Sequence, residues 1–171
     1  MKWLQADQVD VDAHVIETER TWDFLGPDEG SVRPHLEVHD AAAGLGRWML
    51  GDTVLGFRPR QLGPVALKKR ARSAGRRLYT TPTARTLDDV PARLADMDAL
   101  GVAVQVLHST LWIAPLPVPE RTQVALCGAW NRWVADAADR AGARLGWCCV
   151  LPAQDRDAAL EQIAFSAAHG A

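Results

Sequence analysis

Val9-Asp10-Val11-Asp12-Ala13-His14-Val15-Ile16-Glu17 is the stretch on which the reading of this chain turns. Apolar and polar residues alternate through it, which predicts a strand over about 9–16. On a regular strand Val9, Val11, Ala13 and Val15 share one face, and Asp10, Asp12, His14 and Ile16 share the other. Asp12 and His14 then stand about 7 Å apart along the strand and point the same way. A carboxylate and an imidazole aimed at one point can hold a divalent metal or share a proton. Two blander roles compete: Asp12 capping a turn and His14 satisfied in a core.

Working outward, short apolar runs alternate with amphipathic helical patterns from residue 86 onward. Thr86-Leu87-Asp88-Asp89 resembles a capping box, and Val90, Leu94, Ala95 and Met97 follow on one helical face up to Leu100-Gly101. Val102 to Leu107 predicts a buried strand. Glu120 opens a helix marked by Leu126, Trp130, Trp133, Val134 and Ala137, with Gly142 just past its end. Leu145 to Val150 predicts a further strand, and Asp155 or Asp157 caps a last helix that stops near Gly170. Three strands, at about 9–16, 102–108 and 145–151, alternate with helices. That pattern is the signature of βα units with a parallel sheet.

The segment 18–85 interrupts this rhythm. Connections inside βα units usually take about 2–6 residues, so the segment reads as an insertion or lid over a site. Its run Lys68-Lys69-Arg70-Ala71-Arg72-Ser73-Ala74-Gly75-Arg76-Arg77 reads as a solvated basic face. A nucleic-acid partner is not expected, because the net charge is -2 and no aromatic residue interleaves the run. No signal peptide opens the chain, and no stretch reaches the roughly 18 apolar residues of a membrane span. The three cysteines, Cys127, Cys148 and Cys149, form no Cys-x-x-Cys and are odd in number, which favours small core residues in a reducing, cytoplasmic setting. At 171 residues and 48% apolar the chain can build one domain with a core. Three βα units fall short of a (β/α)8 barrel of about 250 residues. The chain therefore reads as the front part of a larger protein.

Active sites of parallel α/β folds lie at the C-terminal ends of the strands. Asp12 and His14 come late in the first strand. His108 ends the second, where it binds substrate, relays a proton or is an ordinary loop histidine. Trp22 and Trp112 line a pocket for a flat substrate or serve as packing. Arg47, like Asp52, is a substrate contact by position alone. Dinucleotide, phosphate-loop and nucleophile-elbow motifs are absent.

Asp12-Ala13-His14-Val15-Ile16-Glu17, with Trp22 and Leu25, resembles the opening of amidohydrolase-related proteins of the aminocarboxymuconate-semialdehyde decarboxylase branch. The resemblance continues through Ala92-Arg93-Leu94-Ala95-Asp96-Met97-Asp98-Ala99-Leu100-Gly101-Val102 and Gln105-Val106-Leu107-His108. It includes Trp130-Asn131-Arg132-Trp133 and Val150-Leu151-Pro152-Ala153-Gln154-Asp155. It covers about 9–30 and 85–171, with 31–84 matching loosely. It implies the N-terminal part of a (β/α)8 barrel holding one divalent metal, zinc or manganese. The implied activity is decarboxylation or hydrolysis of a small, often aromatic, carboxylic acid. The implied ligands here are Asp12 and His14, with Ile16 where a further histidine is sought. The family's remaining ligands and its acid/base histidine would lie beyond Ala171, so the chain alone is expected to bind metal weakly and to be inactive. The competing expectation is a truncated, inactive fragment acting only in interaction or as a structural protein, whose open sheet would demand an oligomer, such as a homo-oligomer, or cause aggregation.

Overall fold

The computed structural model describes residues 8–41, 45–59, 63–74 and 82–171. The fold is mixed α/β, with two three-stranded sheets. One is parallel, in the order β1 (Val9–Val15), β5 (Val104–Ser109), β6 (Leu145–Trp147). The other is antiparallel, in the order β2 (His35–Asp40), β3 (Leu45–Leu50), β4 (Thr53–Arg58). Helices α1 (Pro64–Ala74), α2 (Pro82–Arg85), α3 (Val90–Leu100), α4 (Glu120–Ala141) and α5 (Arg156–Ala168), with four short 3-10 turns, complete the described elements.

The parallel strands are paired in sequence order, with α3 before β5, α4 between β5 and β6, and α5 after β6. One sheet face carries Ala13, Val15, Leu107, Leu145 and Trp147, and all five are buried with Met97 of α3 and Trp130, Trp133 and Val134 of α4. Burying side chains of this size stabilises by about 1.5–3 kcal/mol each before conformational entropy is charged.

The helix boundaries have local causes. Asp89 caps α3 by accepting from the Ala92 amide at 2.9 Å, and Gly101 ends it in the left-handed region at φ 72°. The capping residue is thus Asp89 rather than Thr86, whose hydroxyl donates instead to Asp88. Pro91 in the first turn of α3 suits a start at that point. Asp155 caps α5, taking the Asp157 and Ala158 amides at 3.0 Å each.

β1 departs from regular alternation. Asp10 pairs with Gln105 but Ala13 pairs with Leu107, so β1 holds one extra residue between them. This bulge switches the phase of the strand. Asp10, Ala13 and Val15 face the helices, whereas Val11 is 65% exposed instead of joining Ala13 in the core. The polar groups freed by the bulge find partners. The Asp12 amide donates to Asp10 Oδ1 at 3.2 Å, and the Val11 carbonyl accepts from His108 Nε2 at 2.9 Å. The other Asp10 oxygen accepts from Gln105 Nε2 at 3.0 Å. Gln105 Oε1 in turn accepts from Arg93 Nε at 2.9 Å, and burial pushes that guanidinium down to about 10.

The segment 18–85 holds a layer of its own. A 3-10 turn (Glu19–Phe24), β2–β4 and the first half of α4 enclose a second core of Trp22, Trp48, Leu55, Leu111, Leu116 and Leu126. β3 and β4 are joined by the two-residue turn Gly51-Asp52, with Gly51 at φ 54°. A Cβ at Gly56 would sit 2.6 Å from Leu111 Cδ1, which shows how closely β4 approaches the turn after β5. Of the basic run, Lys68, Lys69, Arg70 and Arg72 lie exposed in part or wholly along α1, and residues 75–77 fall outside the described residues. No helix among the described residues is long and apolar enough to cross a membrane.

Candidate functional site

His14 and His108 are register partners on adjacent parallel strands, on the face opposite the helices. Their ring centroids lie 5.9 Å apart. Each ring has one nitrogen on a backbone carbonyl, and a carbonyl only accepts, which fixes the tautomer. His14 Nδ1 donates to the Ser109 carbonyl at 3.1 Å, leaving Nε2 with its lone pair. That Nε2 stands 3.3 Å from Asp12 Oδ1. A carboxylate oxygen and an imidazole lone pair at this separation can share a proton or hold a cation between them. An imidazole whose other nitrogen is tied to a carbonyl is also the usual form of a metal-binding histidine. His108 is held the other way round: Nε2 donates to Val11, so Nδ1 carries the lone pair. Cys148 Sγ lies 3.7 Å from His108 Nε2.

A cavity of about 470 Å³ opens at the C-terminal ends of β1, β5 and β6. Its volume falls in the usual range for small-molecule pockets, about 300–1,000 Å³. His14, His108, Trp112, Ile113, Gln123 and Cys148 are among the residues lining it. The sequence-derived candidates divide accordingly. His14, His108 and Trp112 come together around the cavity, and Asp12 reaches it through His14. Trp22 is fully buried one ring behind, edge-on to Trp48 at 5.6 Å and 6.3 Å from Trp112. Arg47 does not line the cavity. It projects from β3 to Glu37 of β2, Nε to Oε2 2.8 Å, and that contact holds the Glu37 carboxyl below its ordinary value.

Asp12 and His14 thus present a compatible oxygen and nitrogen donor for a divalent metal. Among the described residues no group of three or more His, Cys, Asp or Glu side chains could hold one.

Glu17 is the residue that sequence reasoning left aside. It is 2% exposed, and no ion pair to it is found among the described residues. Instead it accepts from four donors: Ser109 Oγ at 2.6 Å, the Thr110 amide at 3.1 Å, the Leu111 amide at 3.2 Å and Trp130 Nε1 at 3.0 Å. Burial pushes its carboxyl up, and these hydrogen bonds oppose the shift. Its position was readable, because residue 17 has the parity of Ala13 and Val15 on the buried face. Cys148 also departs from the core role expected of the cysteines: Cys127 is buried, Cys149 half-buried and Cys148 exposed.

No protein-family model and no curated protein matches the chain. Among solved structures, the fold is similar to that of an amidohydrolase from Mycobacterium avium subsp. paratuberculosis K-10, with a TM-score of 0.69 and 20% identity. The similarity covers 98% of this chain and 48% of that one, so the chain spans about half the length of that protein.

Proposed function

We propose that this chain forms the part of a metal-dependent hydrolase or decarboxylase that supplies the first metal ligands. The reading follows the amidohydrolase-related resemblance, the aminocarboxymuconate-semialdehyde decarboxylase branch included, and takes as substrate a small aromatic carboxylic acid. The single observation that carries it is His14 Nε2 facing Asp12 Oδ1 at 3.3 Å while Nδ1 is anchored on Ser109. In this reading Asp12 and His14 hold one zinc or manganese ion. Such an ion polarises a carboxylate or activates water. His108 accepts or delivers a proton at Nδ1, and Trp112 forms an apolar wall against a flat ring. Trp22 supports Trp112 from behind, and Arg47, paired with Glu37 in the antiparallel layer, stays outside the cavity lining.

Catalytic zinc sites keep about three protein ligands. Two ligands imply weak binding by this chain and no turnover. Manganese chloride added to the labelled chain is expected to broaden the NMR signals of Asp12 and His14 first, and Asp12→Ala or His14→Ala to abolish that selectivity. Broadening spread evenly over the surface carboxylates would overturn the ligand assignment. Metal-dependent turnover by the purified chain would overturn the expectation of inactivity. A second reading, association without catalysis, is favoured by the exposed valines of β1, Val9 and Val11. A sedimentation profile showing only monomer at high concentration would count against it.

A further inference from the structure

The ends of β1 and β5 are joined by a set of hydrogen bonds centred on Ser109. Its carbonyl accepts from His14 Nδ1. Its hydroxyl donates to Glu17 Oε1 and accepts from the Trp112 amide at 3.1 Å. A hydroxyl has one proton, so it receives the Trp112 amide in this orientation only while Glu17 takes that proton. Thr110 adds a parallel link, its hydroxyl donating to the Val15 carbonyl at 2.6 Å. Two cavity walls, the His14 ring and the Trp112 backbone, therefore hang from one serine, and that serine hangs from Glu17. Glu17 itself does not line the cavity.

We propose that Glu17 is a positioning residue: through Ser109 it holds His14 in the Nδ1–H tautomer, with Nε2 presented to Asp12, and sets the Trp112 side of the cavity. This rests on His14 being the working imidazole of the proposed reaction. The carboxylate is required for its acceptors rather than for its shape. All four partners of Glu17 are donors, and a carboxamide in its place turns an NH2 group toward at least one of them. Glu17→Gln keeps the volume and breaks the pattern. Ser109→Ala keeps the carbonyl that His14 uses and cuts only the hydroxyl relay.

The test is a long-range 1H–15N spectrum of the histidine side chains of the metal-free chain at one fixed pH of about 9, above the ordinary imidazole range, with His14 assigned by its loss in His14→Asn. The unsubstituted chain is expected to show His14 as a single Nδ1–H tautomer. Glu17→Gln and Ser109→Ala are expected to lose that single state and give a two-tautomer average. Val134→Ala, a cavity in the same core that removes none of the relay's hydrogen-bonding groups, is expected to leave it unchanged. Should Glu17→Gln fail to fold, Ser109→Ala decides. An unchanged His14 signal in the folded relay variants, or an equal change in Val134→Ala, would overturn the proposal. No metal enters the measurement, so this outcome is separate from that of the metal titration.

Discussion

Asn131 offers the sharpest test of how α4 holds the cavity rim. It is fully buried on α4. Its Nδ2 donates to the Val150 carbonyl at 2.9 Å and to Gln162 Oε1 at 2.8 Å, and its Oδ1 accepts from the Val150 amide at 2.9 Å. One side chain thus fixes both polar groups of a residue that lines the cavity just past β6. Asn131→Ala strands three partners. An unsatisfied buried polar group costs about 1–3 kcal/mol. Val150 and Gln162 are only half-buried, so water offsets part of this and the low end applies, about 3 kcal/mol in all. For a chain of this length each kcal/mol moves the Tm by roughly 2–4 °C, which gives a loss of about 6–12 °C. Thermal unfolding followed by circular dichroism reads it directly. Asn131→Asp separates the mechanism from simple loss of packing. Its one oxygen still accepts from Val150, but the other faces two acceptors, so this variant should be no more stable than Asn131→Ala. A loss below about 1 kcal/mol for the alanine variant, or an aspartate variant clearly more stable than it, would refute the reasoning.

Two further outcomes follow from the same geometry. The Glu17 carboxyl is held above its ordinary value of 4.5, so the folded chain takes up its proton more readily than the unfolded chain does. That contribution to stability is complete below about pH 4.5 and fades as the pH climbs through the folded value. The stability of the parent chain relative to Glu17→Gln should therefore fall between pH 4 and pH 7 in urea titrations, and a difference that rises over that range would contradict the assignment. Among the cysteines, burial pushes the Cys127 thiol up to about 12, and Cys148 is exposed. Iodoacetamide at mildly alkaline pH should label Cys148 well before Cys127 in the native chain, and mass spectrometry showing the reverse order would contradict the packing around α4.

The parallel layer was legible because its signals are local. Apolar positions at helical spacing, with Asp155 and Gly142 at helix ends, mark α4 and α5, and the run through Leu107 marks β5. The antiparallel layer was not, because its glycines made the segment read as loop although β3 and β4 carry Leu45, Trp48, Met49, Leu50, Val54, Leu55 and Phe57. Gly51-Asp52 between Leu50 and Thr53 was the available hairpin signal. The bulge in β1 could not be read from one strand, since it exists only in the register with β5. For the same reason the pairing of Asp12 with His14 was visible as spacing, but the tautomer that gives it chemical meaning was not. That depends on the Ser109 carbonyl, 95 residues away.

α4 runs 22 residues, about 33 Å. Its later half closes the core of the parallel sheet through Trp130, Trp133 and Val134, and its earlier half closes the other core through Leu126 and Ala129. Neither layer can let go of this helix without exposing the apolar face of the other. The two layers should accordingly protect their amides as one cooperative unit, with no separate opening of the antiparallel sheet in native-state hydrogen exchange. A chain built this way melts in one transition.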